Sequence, residues 1–390
     1  MRGRKTGLLA MVPQTPPHGG VAGQAAVMLE SRAFQEAFSI RTIRTNSKRR
    51  TENPDGKVMD CRSLCKAFDL ALAAFRAVLA GGYSAVYCVV NGDISFIWIV
   101  LCALFAARLR RCPLILHVHA SRNGFWEWQK RSGAERRASE DRLRRIAGGI
   151  GDRLVAWLSR RADRVIHLTR GIDSHYAALG WRPADLVLPN SSELPSSNDS
   201  SGKEPGSMLF LGRLSREKGF FDLLDALARL DREAVGWKLH AAGTVPAGED
   251  PGEVGRAIAS RGLGDRVVLH GHVGGADKDA LLAGCSILVH PTRRDVFPMS
   301  VVEAMGYGMA VIATGVGEIP EIPSDGGWVE ATAGDPASIG EAISGLLSDP
   351  AVVAEMGAAN RGKALEEYEI GLNSLKVVEL IIDAMHGAER

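Results

Sequence analysis

The chain has 390 residues, of which 46% are hydrophobic and 24% are charged. Such a composition excludes wholesale disorder, collagen and a coiled coil, and the length suits two domains of roughly 150–200 residues each. The formal net charge of +2 conceals an asymmetry, because residues 1–195 hold 30 Lys and Arg against 16 Asp and Glu, and the remainder holds 17 against 29. The basic first half either attracts phosphate-rich partners or simply carries solvated arginines.

In the first half, short apolar runs alternate with helical patterns, which predicts a parallel sheet covered on both faces. Strands are predicted at 6–12, 39–45, 85–90, 114–119, 164–168 and 185–188, and helices at 24–38, 70–79 and 94–107. The apolar stretch 94–107 has 14 residues, whereas a bilayer span needs about 20, so a buried helix and no transmembrane segment are predicted. The six cysteines show no metal-binding spacing, which favours a reducing cytoplasm without disulfides.

A Ser-, Asn- and Pro-rich stretch near residue 200 interrupts the alternation, which then restarts. Strands are predicted at 208–211, 238–242, 266–270, 287–290 and 310–313, with a helix at 220–230. The predicted organisation is two Rossmann-like parallel-sheet domains facing each other across a cleft. Their predicted bounds are 1–192 for the first domain, 193–206 for a linker, 207–370 for the second domain and 371–390 for a C-terminal helix packing back on the first.

The most informative segment is VHPTRRDVFPMSVVEAMGYGMAVIATGVGEIPEI, at 289–322. A strand ends at His290, and the following loop and helix carry Asp295 and Glu303, which we expect to point into the crevice beyond the carboxyl end of the strand. Pro298 lies near the helix start, and the amides around Met299, Ser300 and Val301 are suited to a diphosphate. A nearby carboxylate can bind sugar or ribose hydroxyls. Alternatively, Glu303 only complements the helix dipole and Asp295 only caps the loop.

These residues stand in a string that resembles the group-1 (family 4) retaining nucleotide-sugar glycosyltransferases, which have the α/β GT-B fold. The resemblance covers 207–322. The family's E-x7-E element resembles Asp295-x7-Glu303, and it is followed by EAMGYGMAVIAT and GVGEIPE. Upstream, FLGRLSREKGFFDLLDAL resembles the family's phosphate-binding turn, with Gly212, Arg213, Lys218 and Gly219.

The resemblance implies a role for each matched residue. Arg213 and Lys218 would neutralise the donor diphosphate, Glu303 would hold the nucleotide ribose, and Asp295, where the family usually has glutamate, would contact the transferred sugar. In the first domain, the loop PPHGGVAGQ resembles the family's glycine loop, with Gly19 and Gly20 near the donor phosphate or the acceptor. LILHVHAS resembles the strand ending in a histidine near the reacting sugar, which is His119 here, with His117 as the competing choice. VLPNSS resembles the turn that closes the first domain.

The activity implied is a metal-independent, retaining hexosyl transfer from a nucleotide sugar to a glycan or lipid-linked acceptor in surface polysaccharide or glycolipid biosynthesis. No cofactor or metal is expected. Asp277-Lys278-Asp279 spells the D-x-D metal element of another glycosyltransferase fold, but helix capping and dipole complementarity explain it here. The alternatives are a GT-B nucleotide-sugar epimerase and a non-catalytic nucleotide-sugar-binding protein.

Residues 122–164 combine tryptophans with an excess of arginine, and SEDRLRRIAGGIGDRLVAWLSRRADR is amphipathic at helical spacing. This segment either lies on an anionic membrane leaflet, placing the protein at the inner face of the membrane, or covers the parallel sheet with its arginines exposed. Nucleic acid is not an expected partner, because no recognised nucleic-acid-binding fold accompanies the charge.

Overall fold

The computed structural model describes residues 5–14, 20–46, 61–91, 95–119, 153–154, 156–196, 202–230, 236–246 and 248–388. The chain divides into two compact units, of which the first comprises 1–189 with 370–390 and the second comprises 190–369. The predicted Gly19 and most of the basic segment 122–164 lie outside the described residues.

The elements alternate along the chain as the sequence predicts. Those of the first unit are β1 (Thr6–Val12), α1 (Gly20–Glu30), α2 (Arg32–Ala37), β2 (Phe38–Arg44), α3 (Cys61–Ala80), β3 (Ala85–Asn91), α4 (Ser95–Arg110), β4 (Leu114–His119), β5 (Arg164–His167), α5 (Arg170–Ala178) and β6 (Leu186–Val187). Those of the second unit are β7 (Glu204–Leu211), α6 (Phe220–Leu227), β8 (Lys238–Ala242), α7 (Pro251–Ser260), β9 (Val267–Gly271), α8 (Gly275–Gly284), β10 (Cys285–His290), α9 (Met299–Gly306), β11 (Ala310–Thr314), β12 (Trp328–Ala331), α10 (Pro336–Ser348) and α11 (Pro350–Glu367). The last helix, α12 (Ile370–Ala388), belongs to the first unit.

The first unit is a six-stranded sheet in the order β2-β1-β3-β4-β5-β6, and each pairing is parallel. One core lies between this sheet and helices α1, α2 and α12, to which α12 contributes Val377 and Ile381, both without solvent exposure. The helix predicted at 24–38 is instead two helices, because Ser31 caps α2 and Phe38 already begins β2. On α4, predicted to be buried, Ala103 and Ala106 pack inward whereas Trp98 and Phe105 are exposed, so only one side of this helix is buried.

The second unit is also a six-stranded parallel sheet, in the order β12-β11-β10-β7-β8-β9. This unit begins at Asn190, so residues 193–206, predicted as a linker before a second domain at 207, are counted within it. Ser192 forms a parallel bridge with Glu369, the Pro195 carbonyl accepts a hydrogen bond from Arg361 (2.8 Å), and β7 starts at Glu204. These contacts attach residues 192 and 195 and the start of β7 to the second unit.

In each sheet the chain moves outward from a central strand and then returns to that strand's other side. In the second unit it runs β7-β8-β9 and then places β10 beside β7. The loops after β7 and β10 therefore leave neighbouring strands in opposite directions, and ligands of open parallel sheets bind at the crevice between such loops. The loop after β7 holds residues 212–219 and the loop after β10 holds residues 291–298.

Candidate active site

The loops after β7 and β10 pack tightly against each other. The Arg293 amide donates to the Glu217 carbonyl at 2.9 Å. Gly219 adopts a left-handed φ of 72°, and a Cβ there would lie 1.8 Å from the Pro291 carbonyl oxygen, so only glycine fits. The Arg293 guanidinium holds Asp222 of α6 through two hydrogen bonds of 2.7 and 2.8 Å. The two loops thus form one fixed platform at the carboxyl ends of β7 and β10.

On this platform the structure brings Lys218 and Asp295 together. Lys218 Nζ lies 2.5 Å from Asp295 Oδ2 and 3.3 Å from the Arg294 carbonyl oxygen. Both side chains are largely buried, with exposed fractions of 17% and 20%. A cation and a carboxylate 77 positions apart in the sequence are therefore in direct contact at the predicted ligand crevice.

His290, the last residue of β10, is a third member of this cluster that the sequence did not assign to the site. Its Nε2 lies 3.4 Å from Asp295 Oδ2, and its Nδ1 lies 3.4 Å from the Ser300 hydroxyl. Burial alone would raise the pKa of Asp295, but the contact with His290 and the charge of Lys218 outweigh it and hold this pKa well below its usual range. Asp295 is consequently an ionised carboxylate at any physiological pH. The sequence feature that could have identified His290 as a site residue is its position at a strand end, five residues before the predicted carboxylate Asp295.

A second contact fixes the backbone of Asp295. Gly317 has a φ of +62°, and a Cβ at this position would lie 2.1 Å from the Asp295 carbonyl oxygen. The Glu318 amide donates to the Val296 carbonyl at 3.0 Å. The turn GVGEIPE therefore packs against the Asp295 loop and supports it.

Helix α9 starts at Met299 after the buried Pro298 and has no side-chain cap. Met299 and Ser300 are half-buried, whereas Val301 is fully buried. The prediction that the Val301 amide helps to hold a diphosphate meets an obstacle, because this amide already donates to the Pro298 carbonyl at 3.2 Å. The first two amides of the helix remain the better candidates for an anion.

Glu303 points to a different partner from Asp295. Lys278 of α8 lies 3.0 Å from Glu303 Oε1, and the two side chains are 29% and 16% exposed. Burial raises the pKa of Glu303, the Lys278 ammonium opposes this shift, and Asp279 adds to it. The central lysine of the Asp277-Lys278-Asp279 string is thus the counter-ion of Glu303. Among the residues that the structure describes, no group of three His, Cys, Asp or Glu could hold a metal ion.

The remaining predicted donor residues are less enclosed. Arg213 is exposed over 43% of its side chain and lies 3.4 Å from Glu217 within the same loop. Gly20 is the exposed first residue of α1, and a Cβ there would meet nothing within 4 Å. A cavity of about 230 Å³, lined by Lys203, Ile287 and Leu347, lies at the amino ends of β7 and β10 and contains none of the predicted site residues.

In the first unit, His117 and His119 lie on the same face of β4 with ring centroids 4.4 Å apart. His117 Nδ1 is 2.7 Å from the Tyr87 hydroxyl, so this ring is held in the core. His119 is the last residue of the strand, and no described residue hydrogen-bonds to its Nδ1. Burial lowers the pKa of His119 to about 4, which keeps its imidazole neutral at physiological pH. Each histidine has one ring nitrogen without a described hydrogen-bond partner, and His119 is the one that lies at the strand end.

Comparisons with known proteins agree with this architecture. Residues 196–363 match the family Glycosyl transferases group 1, and residues 62–191 match the Glycosyl transferase 4-like domain. The structure of Anabaena Alr3699/HepE in complex with UDP superimposes with a TM-score of 0.69 at 18% identity, covering 97% of this chain and 100% of that one. Two six-stranded parallel sheets with flanking helices define the GT-B fold, as predicted.

The curated relatives of this chain include a glucosyltransferase and a synthase. A 2-deoxystreptamine glucosyltransferase of Streptomyces kanamyceticus is 28% identical over 291 residues, which are 69% of this chain and 70% of the relative. An alpha-maltose-1-phosphate synthase of Mycobacterium tuberculosis is 27% identical over 216 residues, and the chain spans only about half (53%) of its length. The chain belongs to the group-1 (family 4) glycosyltransferases, which confirms the predicted family.

Proposed function

We propose that this protein is a retaining, metal-independent hexosyltransferase that transfers a sugar from a nucleoside-diphosphate donor to a glycan or lipid-linked acceptor. The observation that carries the proposal is the Lys218–Asp295 pair at the point where β7 and β10 diverge. A cation next to a carboxylate offers one group to phosphate oxygens and the other to sugar hydroxyls. A structural salt bridge alone would not require both groups at the ligand-binding end of the sheet.

The cationic side of the site acts on the leaving group. When the bond between the anomeric carbon and the diphosphate breaks, negative charge develops on the phosphate oxygen. Lys218 and the first amides of α9 stabilise such charge without having to reorganise, because the packed loops already hold them in place. Arg213, more exposed in the same loop, adds to the positive potential.

The carboxylates bind hydroxyl groups. Asp295 is ionised and accepts hydrogen bonds from hydroxyls of the transferred sugar, and Glu303 does so for the ribose. Lys278 matters here because it favours the ionised, accepting form of Glu303 against burial. Neither carboxylate serves as an acid or a nucleophile, since both belong to one donor-binding element.

Retention requires that the acceptor enters on the face from which the nucleotide leaves. The anomeric carbon exchanges its bond to the phosphate oxygen for a bond to the acceptor oxygen, and the acceptor proton passes to the departing phosphate. The neutral His119 imidazole would hydrogen-bond to a sugar hydroxyl and orient it. UDP-bound relatives and the basic first half support a uridine-diphosphate donor and a membrane-linked acceptor at the cytoplasmic face in surface polysaccharide or glycolipid synthesis.

Nucleotide binding tests the donor site directly. Thermal unfolding of the wild type is measured with UDP, GDP, ADP and dTDP in the presence of EDTA. A ligand at about 100 times its Kd stabilises by about 2.7 kcal/mol, which amounts to a few degrees in a chain of this size. We expect one nucleotide to raise Tm, Lys218→Ala to abolish the shift, and Lys238→Ala to keep it, because Lys238 is an exposed lysine at the amino end of β8. No shift with any nucleotide contradicts the proposal.

Transfer is tested next, with the matching nucleotide sugar and candidate lipid or glycan acceptors. Nucleotide release that depends on acceptor, persists in EDTA and is lost in Glu303→Ala supports the proposal, and the anomeric configuration of the product reports retention. Conversion of the nucleotide sugar without acceptor would identify an epimerase. Binding without any turnover would identify a binding protein.

A further inference from the structure

Helices α3 and α4 of the first unit expose an unusual number of large apolar side chains. On α3 these are Phe68, Phe75 and Leu79, with Leu79 exposed over 70% of its surface. On α4 they are Trp98, Leu101, Phe105 and Leu109, with Trp98 exposed over 46% and Leu109 over 56%. Among the described residues, each large exposed aromatic side chain lies on these two helices or at Trp157.

The spacing of these residues places them in one exposed stripe on each helix. At about 100° per residue, the four residues of α4 fall within an arc of about 80°, and the three of α3 within about 40°. The opposite sides of the helices, such as Ala74 on α3 and Ala103 on α4, are fully buried. Since α3 and α4 pack against each other, the two stripes lie side by side and face away from the sheet. We call these seven residues the α3–α4 surface.

Trp157 extends this apolar character beside the end of α4. Arg108 Nη2 donates to the Arg161 carbonyl at 2.7 Å, which places the short helical segment 156–159 next to the last turn of α4. The Arg161 guanidinium lies 4.4 Å from the centre of the exposed Trp157 ring. Aromatic rings stacked with arginine suit the boundary between lipid tails and headgroups.

The charge around the α3–α4 surface is strongly positive. Residues 61–113 contain six Lys and Arg against two Asp and Glu. Arg76, Arg108, Arg110 and Arg111 are exposed on or beside the two helices. In a two-fold dimer formed through this face, two such cationic rims would approach each other and repel. An anionic bilayer instead pairs the rim with lipid phosphates and takes up the apolar side chains.

We propose that the α3–α4 surface docks on an anionic lipid bilayer, with Trp98, Phe105 and their neighbours inserted at the headgroup level. No described helix is long and apolar enough to cross a membrane. With 16 residues, α4 is also short of the about 20 that a span requires, so it lies in the interface. The inference rests on the proposed function only in the purpose of the docking, which is to bring a lipid-linked acceptor to the first unit.

Vesicle flotation tests this proposal on the full chain. Vesicles of phosphatidylcholine alone are compared with vesicles that also contain phosphatidylglycerol. We expect the wild type to bind the anionic vesicles and Trp98→Gln/Phe105→Gln to lower the bound fraction about tenfold or more. The matched control, Leu372→Gln/Leu375→Gln, replaces two equally exposed leucines on α12 and should bind like the wild type. Arg76→Gln/Arg111→Gln should lose most of the preference for anionic lipid.

Three outcomes would overturn the proposal. The first is that the wild type binds neither kind of vesicle. The second is that the wild type and Trp98→Gln/Phe105→Gln bind equally well. The third is that the wild type is a dimer in solution and this double variant is a monomer, which would make a second copy of the chain the occupant of the surface. The Tm shift with UDP is measured on the same variants without lipid. If UDP does not raise the Tm of the wild type but vesicle binding is intact, the proposed donor is refuted and the proposed docking surface is not.

Discussion

Replacing Lys278 with methionine removes the ammonium group that lies 3.0 Å from Glu303 Oε1 and keeps most of the aliphatic side chain. Burial already raises the pKa of Glu303, the Lys278 ammonium is the group that opposes it, and Asp279 acts in the same direction as burial. In the variant, the ionised carboxylate is buried without its counter-charge. We therefore expect a loss of stability at neutral pH that the methylene groups of methionine do not restore.

The magnitude follows from the geometry and the exposure. Opposite charges about 4 Å apart interact by about 4 kcal/mol at an effective dielectric constant near 20. Lys278 is exposed over 29% of its side chain, so water screens part of this energy, and about 1–3 kcal/mol remains. Because the folded-state pKa of Glu303 is raised, its favourable contribution is fully present below the unfolded pKa and is lost as pH rises through the folded value. Removing the ammonium raises that pKa further, so the deficit grows with pH.

Urea unfolding of the wild type, Lys278→Met and Lys278→Arg across about pH 4.5 to 8 measures this deficit. The expected result is a wild-type advantage over Lys278→Met that is largest at the alkaline end and shrinks on acidification, when Glu303 becomes protonated. Lys278→Arg should retain most of the wild-type stability. A deficit that is the same at every pH, or an arginine variant as unstable as the methionine variant, would refute the reasoning.

Two further predictions concern the supports of the site. Gly317→Ala places a Cβ 2.1 Å from the Asp295 carbonyl oxygen, so it should weaken UDP binding and destabilise the protein by more than the about 1–2 kcal/mol of backbone strain. Gly326→Ala is the control, because Gly326 has a similar φ of 72° and no neighbour within 4 Å, and this variant should show the strain alone. Equal UDP affinity in both variants would contradict this prediction. For His119, whose pKa is lowered to about 4, the contribution to stability is present above pH 6.5 and is lost as pH falls toward 4. His119→Gln should therefore recover about 2 kcal/mol relative to the wild type at about pH 5 and nothing at about pH 8, as measured by urea unfolding.

Sequence patterns located both a fully buried strand, Leu114–His119, and a strand with an exposed first residue, Lys238–Ala242. Leu114–His119 and Lys238–Ala242 match their predicted bounds because each is a short run flanked by residues that end strands. Trp328–Ala331 was missed, since it is a four-residue edge strand with only its last residue fully buried. An edge strand pairs with one neighbour and is only partly buried, so its sequence need not contain a recognisable apolar run.

The site was predictable residue by residue but not as a set of contacts. Lys218 and Asp295 each follow a predicted strand, and their loops could be assigned to the ligand-binding end of a sheet. Their contact depends on the pairing of β10 with β7. This pairing belongs to the order of strands in the sheet, which local sequence patterns do not encode. The same holds for Lys278, which reaches Glu303 of α9 from α8 at 3.0 Å although the two residues are 25 positions apart. It also holds for His290, which is adjacent to Asp295 only because the loop turns back.

Helix α4 illustrates a limit of a different kind. Its sequence is apolar on every side, and a helix of this type is consistent either with a protein core or with a lipid environment. The sequence favoured the core because the run is too short to cross a bilayer, yet that argument addresses spanning and not docking. In the structure the helix has a buried side and an exposed side, since Ala103, Ala106 and Ala107 pack inward while Trp98, Leu101 and Phe105 remain exposed. Small residues on the packed side allow the helix to approach the sheet closely, and large aromatic residues on the other side have no packing function there. That division of side-chain size between the two faces is the strongest argument that the outer face of α4 has a partner of its own.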